Sequence, residues 1–286
     1  MASENLKRVI ECVPNFSEGR DARVLADLAS AVQSSARVQL LDYSADADHH
    51  RSVFTFTGAP LDVVTAALAA VRVACDRIDL NRHVGVHPRI GAADVVPFVP
   101  LHHVDMEECV RLSRYFGEQL WQQLRIPVFF YEQAALRPEH RQLDHVRRLA
   151  REGAPPDIGD GRHPTAGACA VGARFFLIAW NIWLETADLE LARQIARAIR
   201  FSSGGFPAVK AMGLPLGSQG MVQVSINSVD FRITPLDVVF EKVRELADQA
   251  GVKLRGSELI GMIPRAALAA SRDLSWLNLS EKRVLD

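Results

Sequence analysis

The chain has 286 residues, 48% hydrophobic and 23% charged, enough apolar material for one large domain or two smaller ones without help from metals or disulfides. Its formal net charge is -1 with acids and bases interspersed, which leaves no concentrated basic surface for a nucleic-acid backbone. No apolar stretch approaches the ~20 residues of a membrane span, and the polar start lacks the apolar centre of a signal peptide, so a cytoplasmic, non-membrane protein is expected.

In chain order, residues 8–13 are a short apolar run ended by Pro14 and predict a strand. Val24, Leu25, Leu28, Ala29 and Val32 recur at helical spacing over 21–33, with Asp21 placed to cap. The runs 38–43 and 52–56 predict two strands around a polar loop, 44–51. Pro60 opens an Ala/Val/Leu helix to about Ile78, an irregular loop follows at 81–91, and 94–99 is strand-like. Asp105 and Glu108 have capping-box spacing ahead of a helix to about Leu124, and 128–131 predicts another strand. Residues 133–167 are polar and rich in Gly and Pro, with a short helix near 143–150; this is the expected domain boundary.

Beyond it, strands are predicted at 175–181, 208–214, 221–226 and 253–260. Helices fall at 188–200, capped by Asp188, and at 235–250, capped by Thr234; Pro264 starts a last one. Strand–helix–strand–strand–helix–strand is the order of a ferredoxin-like unit. The first half repeats it with one extra helix–strand pair. The expected fold is therefore α/β (α+β), two ferredoxin-like βαββαβ subdomains covering 1–165 and 166–286. Cys12, Cys75, Cys109 and Cys169 are scattered among apolar residues with no CxxC spacing, and read as buried free thiols.

The densest polar cluster is Asn81-Arg82-His83-Val84-Gly85-Val86-His87-Pro88-Arg89-Ile90-Gly91. His83 and His87 stand four apart, but Pro88 drives His87 out of the α region and Gly85 weakens any helix, so no helical metal site is read here. His87 reads as a general acid–base, because an imidazole with a reference pKa of ~6.5 takes and returns a proton near neutrality. Arg82 or Arg89 would hold an anionic group beside it. The plainer alternative is a histidine that only ties the loop to its neighbours.

The run Asp42-Tyr43-Ser44-Ala45-Asp46-Ala47-Asp48-His49-His50-Arg51 either positions His87 and binds substrate or is a solvated hairpin loop. Gly159-Asp160-Gly161-Arg162-His163-Pro164-Thr165-Ala166-Gly167 either admits a flat ligand close to its backbone or is a flexible linker. Asn15-Phe16-Ser17-Glu18-Gly19-Arg20 either presents N–H groups and Glu18 to a ligand or caps the first helix. Ser202-Ser203-Gly204-Gly205 reads as a helix C-cap.

Together these stretches resemble glutamate formimidoyltransferases, the transferase part of formimidoyltransferase-cyclodeaminase. The similarity rests on Glu11-Cys12-Val13-Pro14-Asn15-Phe16-Ser17-Glu18-Gly19, on the cluster around His87, on Gly91-Ala92-Ala93-Asp94-Val95-Val96-Pro97-Phe98 and on His163-Pro164-Thr165-Ala166-Gly167-Ala168. It continues through Gly172-Ala173-Arg174 and Gly256-Ser257-Glu258. The sequence departs from the family pattern at Ser44 and His50, and residues 141–156 are a shorter segment than usual.

The resemblance implies two α/β subdomains with a folate cleft between them, a homodimer, and tetrahydrofolate as co-substrate without a metal. It further implies a place in one-carbon metabolism and histidine degradation. His87 is then the catalytic acid–base and Gly159, Asp160, Gly161, Arg162, His163, Pro164, Thr165, Ala166 and Gly167 the folate segment. Arg82, Arg89, Arg51 and Asp46 fall to the substrate, N-formimidoyl-L-glutamate. The rivals are formyl transfer from formylglutamate to tetrahydrofolate, and a non-catalytic folate-binding protein.

Overall fold

The computed structural model describes residues 8–47, 49–84, 88–216 and 220–285; His87, the expected acid–base, lies outside the described residues. The chain divides into two units, Met1–Phe175 and Phe176–Asp286, each with its own sheet.

In the first unit, β1 (Val9–Cys12) and β2 (Asn15–Phe16) are one line broken at Pro14, which has no N–H for a ladder. The helix α1 (Ala22–Ser35) begins at Asp21, whose carboxylate accepts the N–H groups of Arg23 and Val24. A hairpin follows, β3 (Val38–Asp46) and β4 (Arg51–Gly58), then α2 (Pro60–Arg77), opened by its proline, and β5 (Ala93–His102). The unit is completed by α3 (Met106–Leu124), β6 (Val128–Glu132), α4 (Leu143–Arg151) and β7 (Cys169–Ala173). Across the sheet the order is β3, β4, the β1/β2 line, β5, β7, β6. Pairing is antiparallel from β3 to β5 and parallel from β5 to β6.

The two-residue period of a strand decides which side chains enter which layer. Ile10, Cys12, Phe54, Phe56, Phe98 and Phe130 point to the face covered by α1, α2 and α3, where they meet Leu28, Val71 and Phe116. Val95, Phe129, Tyr131 and Ala170 point the other way and pack with Val146 and Ala150 of α4.

In the second unit, β8 (Ile178–Leu184), α5 (Leu189–Ile199), β9 (Val209–Leu216), β10 (Met221–Ser228), α6 (Leu236–Gln249) and β11 (Leu254–Ile260) follow in turn. The sheet order is β11, β8, β10, β9, antiparallel throughout. Alternate residues of β8, Ile178, Trp180, Ile182 and Leu184, are buried with Ile195 and Ile199 of α5 and Val239 and Val243 of α6. Asp188 caps α5 by accepting the Leu191 N–H; the helix ends at Arg200, and Gly204, at φ 89°, closes instead the short 3-10 turn Phe201–Ser203 that follows it. A short parallel pair, β12 (Ile263–Pro264) with β13 (Val284–Leu285), flanks α7 (Arg265–Ala270). Among the described residues no helix is long and apolar enough to cross a membrane.

Several expectations need correction. Residues 169–173, read as the start of the second half, are a parallel strand of the first sheet, so the division falls after Phe175 rather than at 165. A run of Cys, Ala, Val, Gly and Ala gives no alternation because both of its faces are buried. Thr234 does not cap α6: it is buried, its hydroxyl donates to Pro207 O at 2.6 Å, and Pro235 occupies the cap position. Asp105 caps α3, but the Glu108 carboxylate pairs with Arg8 instead of reaching back to close the box. Residues 44–46 belong to β3, leaving a shorter turn than the expected loop.

Candidate functional site

The turn after β2 is built around a carboxylate. Glu18, 9% exposed, accepts the N–H groups of Gly19, Arg20 and Asp21 through Oε1 at 2.7–3.0 Å, ahead of α1. Gly19 has to be glycine, because a Cβ there would sit 2.2 Å from Asp46 O and 2.6 Å from Arg51 N. This close approach lays the turn against the β3–β4 hairpin. Ser17 reaches in another direction, its N–H donating to Ala92 O at 2.8 Å and its hydroxyl to Gly91 O at 2.7 Å.

The hairpin turn is itself tightly bonded. Asp46 accepts the backbone N–H of His49 at 2.9 Å and meets its Nδ1 at 2.7 Å. His50 takes φ 48°, and its Nδ1 lies 3.7 Å from Glu18 Oε1. The carbonyls of His49 and His50 both accept from the Arg89 guanidinium, at 2.9 and 3.1 Å. Arg89 Nη1 also lies against the His83 ring, 2.9 Å from Nδ1 and 2.5 Å from Nε2, and Nε2 is 3.3 Å from His50 O. The His50 and His83 rings lie 4.1 Å apart, centroid to centroid. Burial, then the positive charge of Arg89, holds His83 below the usual imidazole range.

Below this turn lies an arginine-rich layer with one central carboxylate. Asp94, 3% exposed, accepts the Ile90 N–H on Oδ1 at 2.7 Å and two donors of Arg147 on Oδ2 at 3.1 and 2.5 Å. Arg51 donates to Asn15 Oδ1. Burial pushes the Arg51 guanidinium down to about 10, helped by the charges of Arg147 and Arg89 and opposed by Asp94.

The segment 80–92 is stitched to the segment 163–168. Thr165 O accepts from Leu80 N–H, Ala166 O from Ala92 N–H and Pro164 O from Asn81 Nδ2, each at 2.9 Å; the Ala168 N–H returns to Ile90 O. Gly91 and Gly167 face each other so closely that a Cβ on Gly91 would be 1.9 Å from Ala168 O. Beside them is a groove of about 400 Å³ with an apolar floor of Ile90, Phe129, Ala150 and Ala168 and a rim of Gly159, Asp160, Gly161 and Arg162.

The four sequence clusters therefore converge in the first unit. Arg89 and Arg51 lie within the convergence, and Asp46 acts there by holding His49. Arg82 is not brought in: its side chain is 89% exposed and pairs with Asp79 at 3.6 Å. Gly159, at φ 82°, packs on Trp121, Arg162 donates to Ala150 O, and the His163 ring is engaged inside its own turn. Sequence reasoning missed Asp94 and Arg147 as organisers of the site. The signal was present in α4, where Leu143, Val146, Arg147 and Ala150 share one helical face, an arginine among apolar positions. Among the described residues no group of three or more His, Cys, Asp or Glu is placed to hold a metal.

Residues 9–174 match the family model described as the formiminotransferase domain, N-terminal subdomain, and residues 179–282 match that of the formiminotransferase domain. The chain is 43% identical over 273 residues to glutamate formimidoyltransferase of Streptococcus pyogenes serotype M1, covering 92% of this chain and 91% of that one. To glutamate formimidoyltransferase of Thermoplasma acidophilum it is 41% identical over 271 residues, 91% and 89% of the two chains. To formimidoyltransferase-cyclodeaminase of Gallus gallus it is 40% identical, over 92% of this chain but 51% of that longer one. The two family models divide the chain at the same place as its sheets, and the chain belongs to the formiminotransferase family.

Proposed function

We propose that this protein transfers a formimidoyl group between N-formimidoyl-L-glutamate and tetrahydrofolate, with His87 as general acid–base. The observation that carries the reading is the identity of 43% and 41%, over most of both chains, to proteins named glutamate formimidoyltransferase.

In this reaction the secondary amine at position 5 of the reduced pterin attacks the formimidoyl carbon and a tetrahedral intermediate forms. A proton leaves the attacking nitrogen, another reaches the glutamate nitrogen, and the carbon–glutamate bond breaks. One neutral imidazole serves both transfers in turn, a contribution typically worth ~10²–10⁴ in rate. Binding both substrates in one site adds the entropic advantage of orientation. Both substrates carry carboxylates, and three guanidiniums, Arg51, Arg89 and Arg147, around the single carboxylate of Asp94 leave an excess of positive charge suited to them. Arg89 and Arg51 therefore take the anion-holding role and Arg82 does not. The rim residues 159–162 beside the apolar floor suit a flat, partly apolar ligand, which supports folate there. Homodimerisation and a cytoplasmic location belong to the same reading.

The test is to supply purified protein with tetrahydrofolate and either formimidoylglutamate or formylglutamate. The reading expects turnover of the formimidoyl donor. Turnover of the formyl donor alone, or folate binding without turnover of either, would replace it.

A further inference from the structure

We infer that His163 is a positioning residue: its neutral imidazole shapes the turn that clamps both ends of the segment carrying His87. The ring lies within the segment proposed for folate, yet its nitrogens are already engaged. Nδ1 accepts the N–H of Ala166 at 3.0 Å and faces that of Thr165 at 3.3 Å. A ring nitrogen accepts only when it bears no proton, so the proton resides on Nε2, which faces Cys75 Sγ on α2 at 3.7 Å. This is the wrong tautomer for activating a thiol, and burial with the nearby Asp76 raises the Cys75 thiol further, so the pair is not a nucleophilic dyad.

The shape the ring imposes matters because of what the turn holds. His163 N–H donates to Gly167 O and Gly167 N–H to His163 O, at 2.8 and 3.1 Å, closing a five-residue loop. The carbonyls of the three residues between them, Pro164, Thr165 and Ala166, accept from Asn81, Leu80 and Ala92 respectively. These donors flank residues 82–91 on both sides. Protonating Nδ1, or removing it, takes away the acceptor that fixes two backbone N–H groups and frees all three carbonyls to move. Charged groups on α2, which brings Cys75 to the ring, are Asp62, Arg72, Asp76 and Arg77; Asp79 and Arg82 lie in the turn after it, and Asp160 and Arg162 on the ring's own segment.

The kinetic arm of the test rests on the proposed function; the exchange arm does not. Wild type, His163→Asn and His163→Ala are compared by amide hydrogen exchange at Leu80 and Ala92, by the ring ¹⁵N pattern of wild-type His163, and by kcat across pH. Asparagine keeps an acceptor near the Nδ1 position and does not titrate. The expected result is exchange about tenfold faster and kcat about tenfold lower in His163→Ala, from the loss of two modest hydrogen bonds, with both restored by asparagine. A ring protonated at Nδ1 near neutrality, unchanged exchange in His163→Ala, or asparagine as damaging as alanine overturns the inference. If His163→Ala does not fold, the ring ¹⁵N pattern and the asparagine variant still decide. If exchange responds as expected but wild type transfers no formimidoyl group, the clamp stands and the proposed function falls.

Discussion

Arg147 on α4 and Asp94 at the head of β5 form a buried ion pair, two guanidinium donors meeting one carboxylate oxygen at 3.1 and 2.5 Å while the other oxygen holds the Ile90 N–H. The pair fastens the helix on one face of the first sheet to the strand that follows the cluster around His87. Removing one partner leaves the other charge buried and uncompensated, which is costlier than never having had the pair. Asp94→Ala should therefore destabilise by about 3–5 kcal/mol in urea unfolding. Asp94→Asn, which keeps an acceptor for Ile90, should lose less. Equal losses would mean that the acceptor for Ile90 contributes nothing and the charge carries the whole effect.

Glu11 on β1 is 2% exposed, and burial raises its carboxyl from 4.5 to about 7 against the opposing charge of Arg174. A carboxyl raised on folding gives stability that is complete below its unfolded pKa and is lost as pH climbs through the folded one. The loss by pH 8 is on the order of 3 kcal/mol. Glu11→Gln, which imitates the neutral form, should match wild type near pH 4.5 and melt higher at pH 8. Parallel Tm curves for the two proteins would contradict this.

Two glycines should respond differently to an added methyl group. An added Cβ at Gly91 collides with Ala168 O, and both partners are backbone, so Gly91→Ala should cost about 1–3 kcal/mol or more and loosen the junction with residues 163–168. At Gly256 the nearest atoms belong to Trp183 at 3.4 and 3.7 Å, ordinary contact distances. Gly256→Ala should be neutral, or stabilising by about 0.4–1 kcal/mol through the unfolded chain. Thermal melts of both variants check the pair.

Arg82 and Arg89 were equal candidates in sequence and should separate in activity. Arg89→Ala removes a guanidinium bonded to two hairpin carbonyls, and hydrogen bonds to charged groups are worth about 1.5–3 kcal/mol, so kcat/KM should fall about 10–100-fold. Arg82→Ala removes a side chain in solvent, and the rate should stay within about twofold. Comparable losses would bring Arg82 into the site.

Much of this was legible in the sequence because the local signals were strong. Asp21, Asp105 and Asp188 cap their helices where spacing put them, and the period-two pattern of β8 sorts its side chains between faces. The family segments marked the stretches that meet in space. What stayed hidden was set by tertiary context. β7 gave no alternation because it is covered on both faces, and Thr234 found a carbonyl from another segment in place of its own helix. The Asp94–Arg147 pair spans 53 residues, a separation no local window covers. Arg82 and Arg89 differ only in where the loop turns, which depends on those same distant contacts.

The account depends most on one imidazole carrying protons in formimidoyl transfer. Turnover of formimidoylglutamate with tetrahydrofolate, measured for wild type and His87→Gln alongside folate affinity, tests it directly. The account predicts that wild type turns over and that the variant loses about 10²–10⁴ in kcat while folate affinity is kept. A His87→Gln protein that transfers at close to the wild-type rate would contradict it.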